Sequence, residues 1–165
     1  MGPGHLVIAM AAKPAAPKVP LWVLLAASEM LDLLSFLFLA IGIEKPGTSS
    51  TDLVNGVKAI TPSEIPWSHG LFMSIVWSLL AAVIVWLFLH DRRSSIIVGL
   101  VVLSHWVLDL IVHLPDLPLL FNGSPKVGLG LWSTGPGLIL DCTLEVVLFA
   151  CGIVLYLAVR KRKKV

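Results

Sequence analysis

Hydrophobic residues run along this chain in long blocks separated by short polar breaks. Residues 21–43, 67–90, 95–114 and 136–159 are each predominantly apolar. Each is long enough to cross a bilayer, which takes about twenty helical residues. The breaks carry turn chemistry: Pro, Gly, Ser and Thr over 44–66, the tight Asp91-Arg92-Arg93-Ser94 connection, and Pro and Gly over 115–135. The pattern predicts an all-α, polytopic membrane helix bundle, one domain over residues 1–165 with four transmembrane helices. Residues 5–12 are apolar but too short to span. They read either as a helix along the cytoplasmic interface or as a half-helix that begins inside the protein at His5 and leaves at Lys13. Lys13 to Pro20 is a Pro- and Lys-containing linker. No positively charged start precedes the apolar stretch, and the 21–43 run is long and contains Glu29 and Asp32, so signal-peptide cleavage is not expected.

Composition supports this pattern. The chain is 57% hydrophobic and 13% charged, whereas soluble domains carry about 25% charged residues. Charge then orients it. Four spans put both termini on one side, together with Lys13, Lys18, Arg92, Arg93 and the basic tail Arg160-Lys161-Arg162-Lys163-Lys164. Only Lys45, Lys58 and Lys126 fall on the other side. The excess places both termini in the cytoplasm and the two longer loops outside, as a multi-pass protein of the inner (plasma) membrane. The tail reads as a topology signal and a contact for acidic lipid headgroups; no nucleic-acid partner is expected. Cys142 and Cys151 are nine positions apart, on opposite faces of one helix, and read as unpaired small core residues.

Ionisable residues inside the apolar runs change the picture from scaffold to site. His105, Asp109 and His113 recur every four residues, which stacks them on one helix face. Glu29, Asp32, Asp141, Glu145 and His69 also fall within spans. A lone charge at the bilayer centre costs about 2.5–3.5 kcal/mol even on lenient scales, so these groups must satisfy one another, water or a cation. Counting helical rise places most of them in the outer half of the bilayer, where they can converge. Histidine with carboxylate is a ligand set for a divalent metal, zinc first and then iron or manganese. Asp32, His69, His105 and Asp109 are the leading ligands. His113 is either a further ligand or a hydrogen-bonding residue at the outer rim. Asp141 and Glu145, one turn apart, are expected as a catalytic base or outer support for the metal, or else as a helix pair facing a wet cavity. His90 reads as a solvated interfacial residue, Ser68 as a helix cap, and the tryptophans as interface and packing residues.

Four stretches carry a resemblance: Pro3-Gly4-His5-Leu6, Pro66-Trp67-Ser68-His69-Gly70, Ser104-His105-Trp106-Val107-Leu108-Asp109 and Gly128-Leu129-Gly130-Leu131-Trp132. In these the chain resembles the bacterial family of membrane-bound metal-dependent hydrolases. The resemblance implies functional roles for His5, Asp32, His69, His105 and Asp109. It also favours the half-helix, with His5 pointing into the bundle. Many members carry Pro-Asp-x-Asp after the first helix; here Met30-Leu31-Asp32 keeps a single Asp. The expected activity is hydrolysis of an ester, amide or phosphoester of a lipidic substrate reached from the surrounding membrane lipid. The alternatives are an ion- or proton-coupled transporter using the same cluster, and a non-catalytic membrane protein whose polar groups hold its helices together.

Overall fold

A computed structural model describes the backbone of residues 2–45, 48–54, 57–61 and 64–162, and the side chains of 4–45, 64–131, 133–137 and 139–154. The fold is mostly helical with little sheet. Helix α1 (Gly2–Ala12) is followed by the linker, then α2 (Leu21–Ser28) and α3 (Met30–Ala40). A hairpin of β1 (Thr48–Val54) and β2 (Val57–Thr61) leads to the short α4 (Pro66–His69), then α5 (Leu71–Leu89) and α6 (Arg92–Val112). A two-residue ladder, β3 (Leu117–Pro118) with β4 (Lys126–Val127), and a 3₁₀ turn (Leu131–Ser133) precede α7 (Gly135–Arg162). Lys163 and Lys164 of the basic tail lie outside the described residues.

Among the described residues, three helical stretches are long and apolar enough to cross a membrane: Leu71–Leu89, Arg92–Val112 and Gly135–Val154. The pair α2 and α3 qualifies as a fourth only if taken together, because it bends by 56°. The uniform helix expected over 21–43 is therefore broken. The break has a visible cause. The Ser28 carbonyl lies 2.6 Å from His105 Nδ1, a contact that draws it out of the helical ladder. A side chain engaging a ladder carbonyl is a recognised origin of a kink. Glu29 sits at the corner with φ −98° and ψ 6°, the sparsely allowed bridge region.

The second expected helix, 67–90, is also divided. Gly70 adopts an extended conformation with ψ 137° and separates α4 from α5. Close packing holds it there: a Cβ on Gly70 would meet the Pro66 carbonyl oxygen at 2.3 Å and that of Leu120 at 2.8 Å. His69 thus ends a separate single turn rather than riding on the long helix. The segment 44–66, expected as a polar loop with turn signals, contains the β1–β2 hairpin, closed at its base by Lys45 pairing with Glu64.

Helices α5 and α6 form the central pair. His90 closes α5 in the left-handed region, φ 49°, and the Asp91 carboxylate accepts from the Ser94 N–H at 3.0 Å to cap α6. Small residues let the two helices approach: Ser78 Oγ donates to the Gly99 carbonyl at 2.7 Å. Val98, Val101, Val102 and Trp106 of α6 join Leu24, Ala27 and Leu31 in the core, with Ala9 of α1 beside them. The outward faces carry exposed Phe36, Leu79, Phe88 and Val146.

Helix α1 packs against α2, α6 and α7. Gly152 of α7 makes room for Val7 and Met10. The Gly128-Leu129-Gly130 stretch folds back over the end of α6. Leu129 N–H donates to the Leu110 carbonyl and Gly130 N–H to that of His113, at 2.8 and 2.7 Å. These bonds satisfy carbonyls that a helix end otherwise leaves orphaned. Cys142 and Cys151 are unpaired, as the spacing predicts, but both are exposed on α7 rather than packed in the core.

Candidate metal centre

Five side chains from four helices meet at one point. His5 comes from the first turn of α1, Asp32 from the first turn of α3, His69 from the end of α4, and His105 and Asp109 from successive turns of α6. Three of the five are almost wholly enclosed: His5, His105 and Asp109 are 1, 1 and 2% exposed. His69 is also buried, and Asp32 is part-exposed and closes the open side.

The ring nitrogens and carboxylate oxygens face one another. His5 Nε2 lies 3.3 Å from Asp109 Oδ1, and His105 Nε2 lies 3.3 Å from Asp109 Oδ2. His69 Nε2 lies 3.2 Å from Asp32 Oδ1 and 3.5 Å from Asp109 Oδ2. His105 Nε2 lies 3.5 Å from Asp32 Oδ1. Among the described residues, two three-residue groups, His5–His105–Asp109 and Asp32–His69–His105, each bring their ligand atoms within 4.8 Å of one another. Neighbouring ligands on a divalent metal with bonds of about 2.0–2.2 Å sit roughly 3.0–3.5 Å apart. The observed spacings match that range, so the cluster could hold a metal ion.

The far nitrogens sharpen the argument. His105 Nδ1 faces the Ser28 carbonyl, which can only accept, so Nδ1 carries the proton. Its Nε2 faces the carboxylates of Asp109 and Asp32 at 3.3 and 3.5 Å without a well-formed hydrogen bond. A cation on that side, a proton on the ring or a metal ion between ring and carboxylates, satisfies the arrangement. On the other side of its ring, His5 Nδ1 is buried without a hydrogen-bond partner. The tryptophan of the Ser-His-Trp run has a role of its own: Trp106 Nε1 donates to the His69 carbonyl at 2.9 Å and fixes α4 over the cluster.

The other expected site residues fall elsewhere. His113 fits the four-residue spacing, but α6 ends at Val112 and the backbone turns extended at His113, ψ 147°. Its Nδ1 sits 3.3 Å from Asp116 Oδ1, away from both metal-capable groups. Asp141 and Glu145 lie on α7 and belong to neither group. Glu145 lies one turn beyond Asp141 on α7, with one carboxylate oxygen buried and without a hydrogen-bond partner. His90 is exposed at the α5–α6 turn. Ser68 caps neither α4 nor α5; its hydroxyl lies between Glu44 and His69.

Two contributors escaped sequence reasoning. Glu44 is 2% exposed, and the Ser28 carbonyl is a backbone atom that no motif encodes. Glu29 adds a third carboxyl beside the cluster. It is part-buried, one of its oxygens is buried without a hydrogen bond, and it interacts electrostatically with His105, Asp32 and Asp109. No protein-family model, curated protein or solved structure matches the chain.

Proposed function

We propose that this chain is a small membrane-embedded, metal-dependent hydrolase acting on an amphiphile. The observation that carries the reading is the convergence of three histidine Nε2 atoms on two carboxylates, at ligand-to-ligand spacing and largely out of solvent. Structural polar glue between helices needs no such set, since interhelical hydrogen bonds return only about 0.6 kcal/mol each. In this reading His5, Asp32, His69, His105 and Asp109 hold a divalent metal, zinc being the first choice for a donor set of imidazole and carboxylate without thiolate. When bound, such an ion supplies Lewis acidity and lowers the pKa of water to about 7. Glu29 is the carboxyl assigned to take a proton from that water, because it interacts electrostatically with His105, Asp32 and Asp109 and one of its oxygens is buried without a hydrogen bond. The resemblance to membrane-bound metal-dependent hydrolases agrees with this donor set.

In the same reading the bent α2–α3 pair, α5, α6 and α7 are four membrane spans with both termini in the cytoplasm. Helix α1, about 16 Å long, is a half-helix that delivers His5 from inside. A site enclosed among apolar helices favours a lipidic ester, amide or phosphoester over a polar solute. A transporter using the same cluster would need its ionisable path to continue. Between the cluster and the His90–Asp91 turn, however, α6 turns Val98, Gly99, Val101 and Val102 inward.

The test is metal content and hydrolysis together. Protein purified in detergent is expected to carry stoichiometric metal, lost in His105→Ala and Asp109→Ala without unfolding. Amphiphilic esters, amides and phosphoesters would be assayed with each form. Wild-type protein that takes up no divalent ion would sink the reading. Ion uptake in proteoliposomes without hydrolysis would favour the transporter.

A further inference from the structure

Glu44 is an acidic residue with little reason to be buried. It follows α3, at the base of the hairpin, and is 2% exposed. Its carboxylate is spent on one residue. Oε1 accepts from the Ser68 backbone N–H at 2.7 Å, and the Ser68 hydroxyl lies 3.0 Å from Oε1 and 2.8 Å from Oε2. Ser68 is fully buried, and the same hydroxyl lies 2.8 Å from His69 Nδ1. Proton counting fixes the direction of every bond. A carboxylate only accepts, so the single Ser68 O–H donates to Glu44. The contact to His69 must then be an Nδ1–H donating to the Ser68 oxygen. In the neutral ring this leaves His69 Nε2 with its lone pair, on the side where Asp32 Oδ1 lies at 3.2 Å and Asp109 Oδ2 at 3.5 Å.

We propose that Glu44 and Ser68 form a positioning relay that sets the tautomer and ring orientation of His69 and so presents its Nε2 lone pair to the metal. The inference rests on the metal reading for its last step, but the tautomer can be measured without any metal. The arrangement does for His69 what the Ser28 carbonyl does for His105: an acceptor behind the ring holds the proton on the far nitrogen. Partners of this kind are worth about 10–100-fold in metal affinity. Glu44 touches neither substrate nor metal. It acts through Ser68, and it ties the loop after α3 to the short helix that ends in His69.

Glu44→Gln separates this role from simple tethering. The amide oxygen still accepts from the Ser68 N–H. Its NH₂ now donates to the Ser68 oxygen, which releases the Ser68 proton toward His69 Nδ1 and drives the ring to the Nε2–H tautomer. Nitrogen-15 NMR of metal-free, histidine-labelled protein reads the tautomer directly. The wild type is expected as Nδ1–H at His69, with Glu44→Gln shifted to Nε2–H. Zinc affinity by chelator competition is expected to fall about 10–100-fold in the variant, with the melting temperature of the metal-free protein little changed. Ser68→Ala is a second arm that removes the link without altering Glu44, and the same affinity loss is expected. A wild-type His69 whose neutral ring carries its proton at Nε2, or a Glu44→Gln variant with unaltered tautomer and affinity, overturns the relay. Wild-type protein that binds no zinc, yet shows the Nδ1–H tautomer that Glu44→Gln reverses, overturns the metal reading and upholds the relay.

Discussion

His5 and His105 stack face to face, ring centroids 3.7 Å apart and planes within 7° of parallel. Each presents Nε2 to a different oxygen of the same carboxylate, Asp109. One helix supplies His105 and Asp109, while the other ring arrives from a segment of eleven residues at the start of the chain. The stack therefore makes the short helix part of the site, and it explains why an apolar segment too short to span is packed inside the bundle.

Removing His5 tests that relationship. His5→Ala deletes one proposed ligand and the stacked ring but leaves Val7, Ala9 and Met10 to hold α1 in place. Zinc affinity is expected to fall at least about tenfold, the scale at which even outer partners of a metal act. Chelator competition measures it. Unchanged affinity would place His5 outside the metal set and return α1 to a packing role.

Glu29 is assigned the proton-accepting role, and its variant should divide binding from chemistry. Glu29→Gln keeps shape and polarity at the α2–α3 corner. Metal content is expected to stay at the wild-type level while the hydrolysis rate falls about 10²–10⁴-fold, the usual contribution of a positioned base. Loss of metal with loss of rate would instead make Glu29 a ligand.

Gly70 is expected to be intolerant of a side chain. A Cβ there would meet two backbone carbonyl oxygens at 2.3 and 2.8 Å, so α4 or the 117–120 segment would have to shift. Gly70→Ala should cost about 1–3 kcal/mol, typical of overpacking. It should also weaken metal binding, because His69 is the preceding residue. Thermal unfolding and chelator competition on the same sample check both; a stable variant with lowered affinity would assign Gly70 to the site alone.

The legible parts of the site are those written in helical spacing. His105 and Asp109, four apart on one helix, are adjacent in space. Asp32 and His69 stand out as ionisable residues in apolar runs, and both reach the same point. His113 obeys the same spacing yet fails, because periodicity says nothing about where a helix stops, and α6 ends one residue earlier. Ser68 has the composition of a cap but is used as a link, since Glu44 takes its backbone N–H. Glu44 itself lay at a loop boundary, where burial has no sequence signal. The Ser28 carbonyl is invisible for a deeper reason: any residue supplies a carbonyl, and only a tertiary contact draws it from the ladder. The break at Glu29 follows from that contact rather than from a glycine or proline: Gly42 is the one such residue between Leu21 and Ile43, and it lies beyond the end of α3.

Far from the site, Asp91 gives a prediction in pH. Hydrogen bonds from Ser94, joined by the Lys18 ammonium at 3.0 Å, hold its carboxyl down at about 2. The unfolded chain releases this proton near about 3.9. A group depressed on folding stabilises the fold above the unfolded value and loses that contribution as pH falls through the folded one. Asp91→Ala should therefore melt below the wild type at neutral pH, and the gap should close between about pH 4 and pH 2. Raising salt should narrow the gap only in part, because salt screens the exposed Lys18 pair but leaves the cap on Ser94 in place. Melting curves of both proteins in one detergent across that range provide the check. A gap that stays constant down to pH 2 would mean that Asp91 acts through shape alone and that its charge contributes nothing to closing the α5–α6 turn.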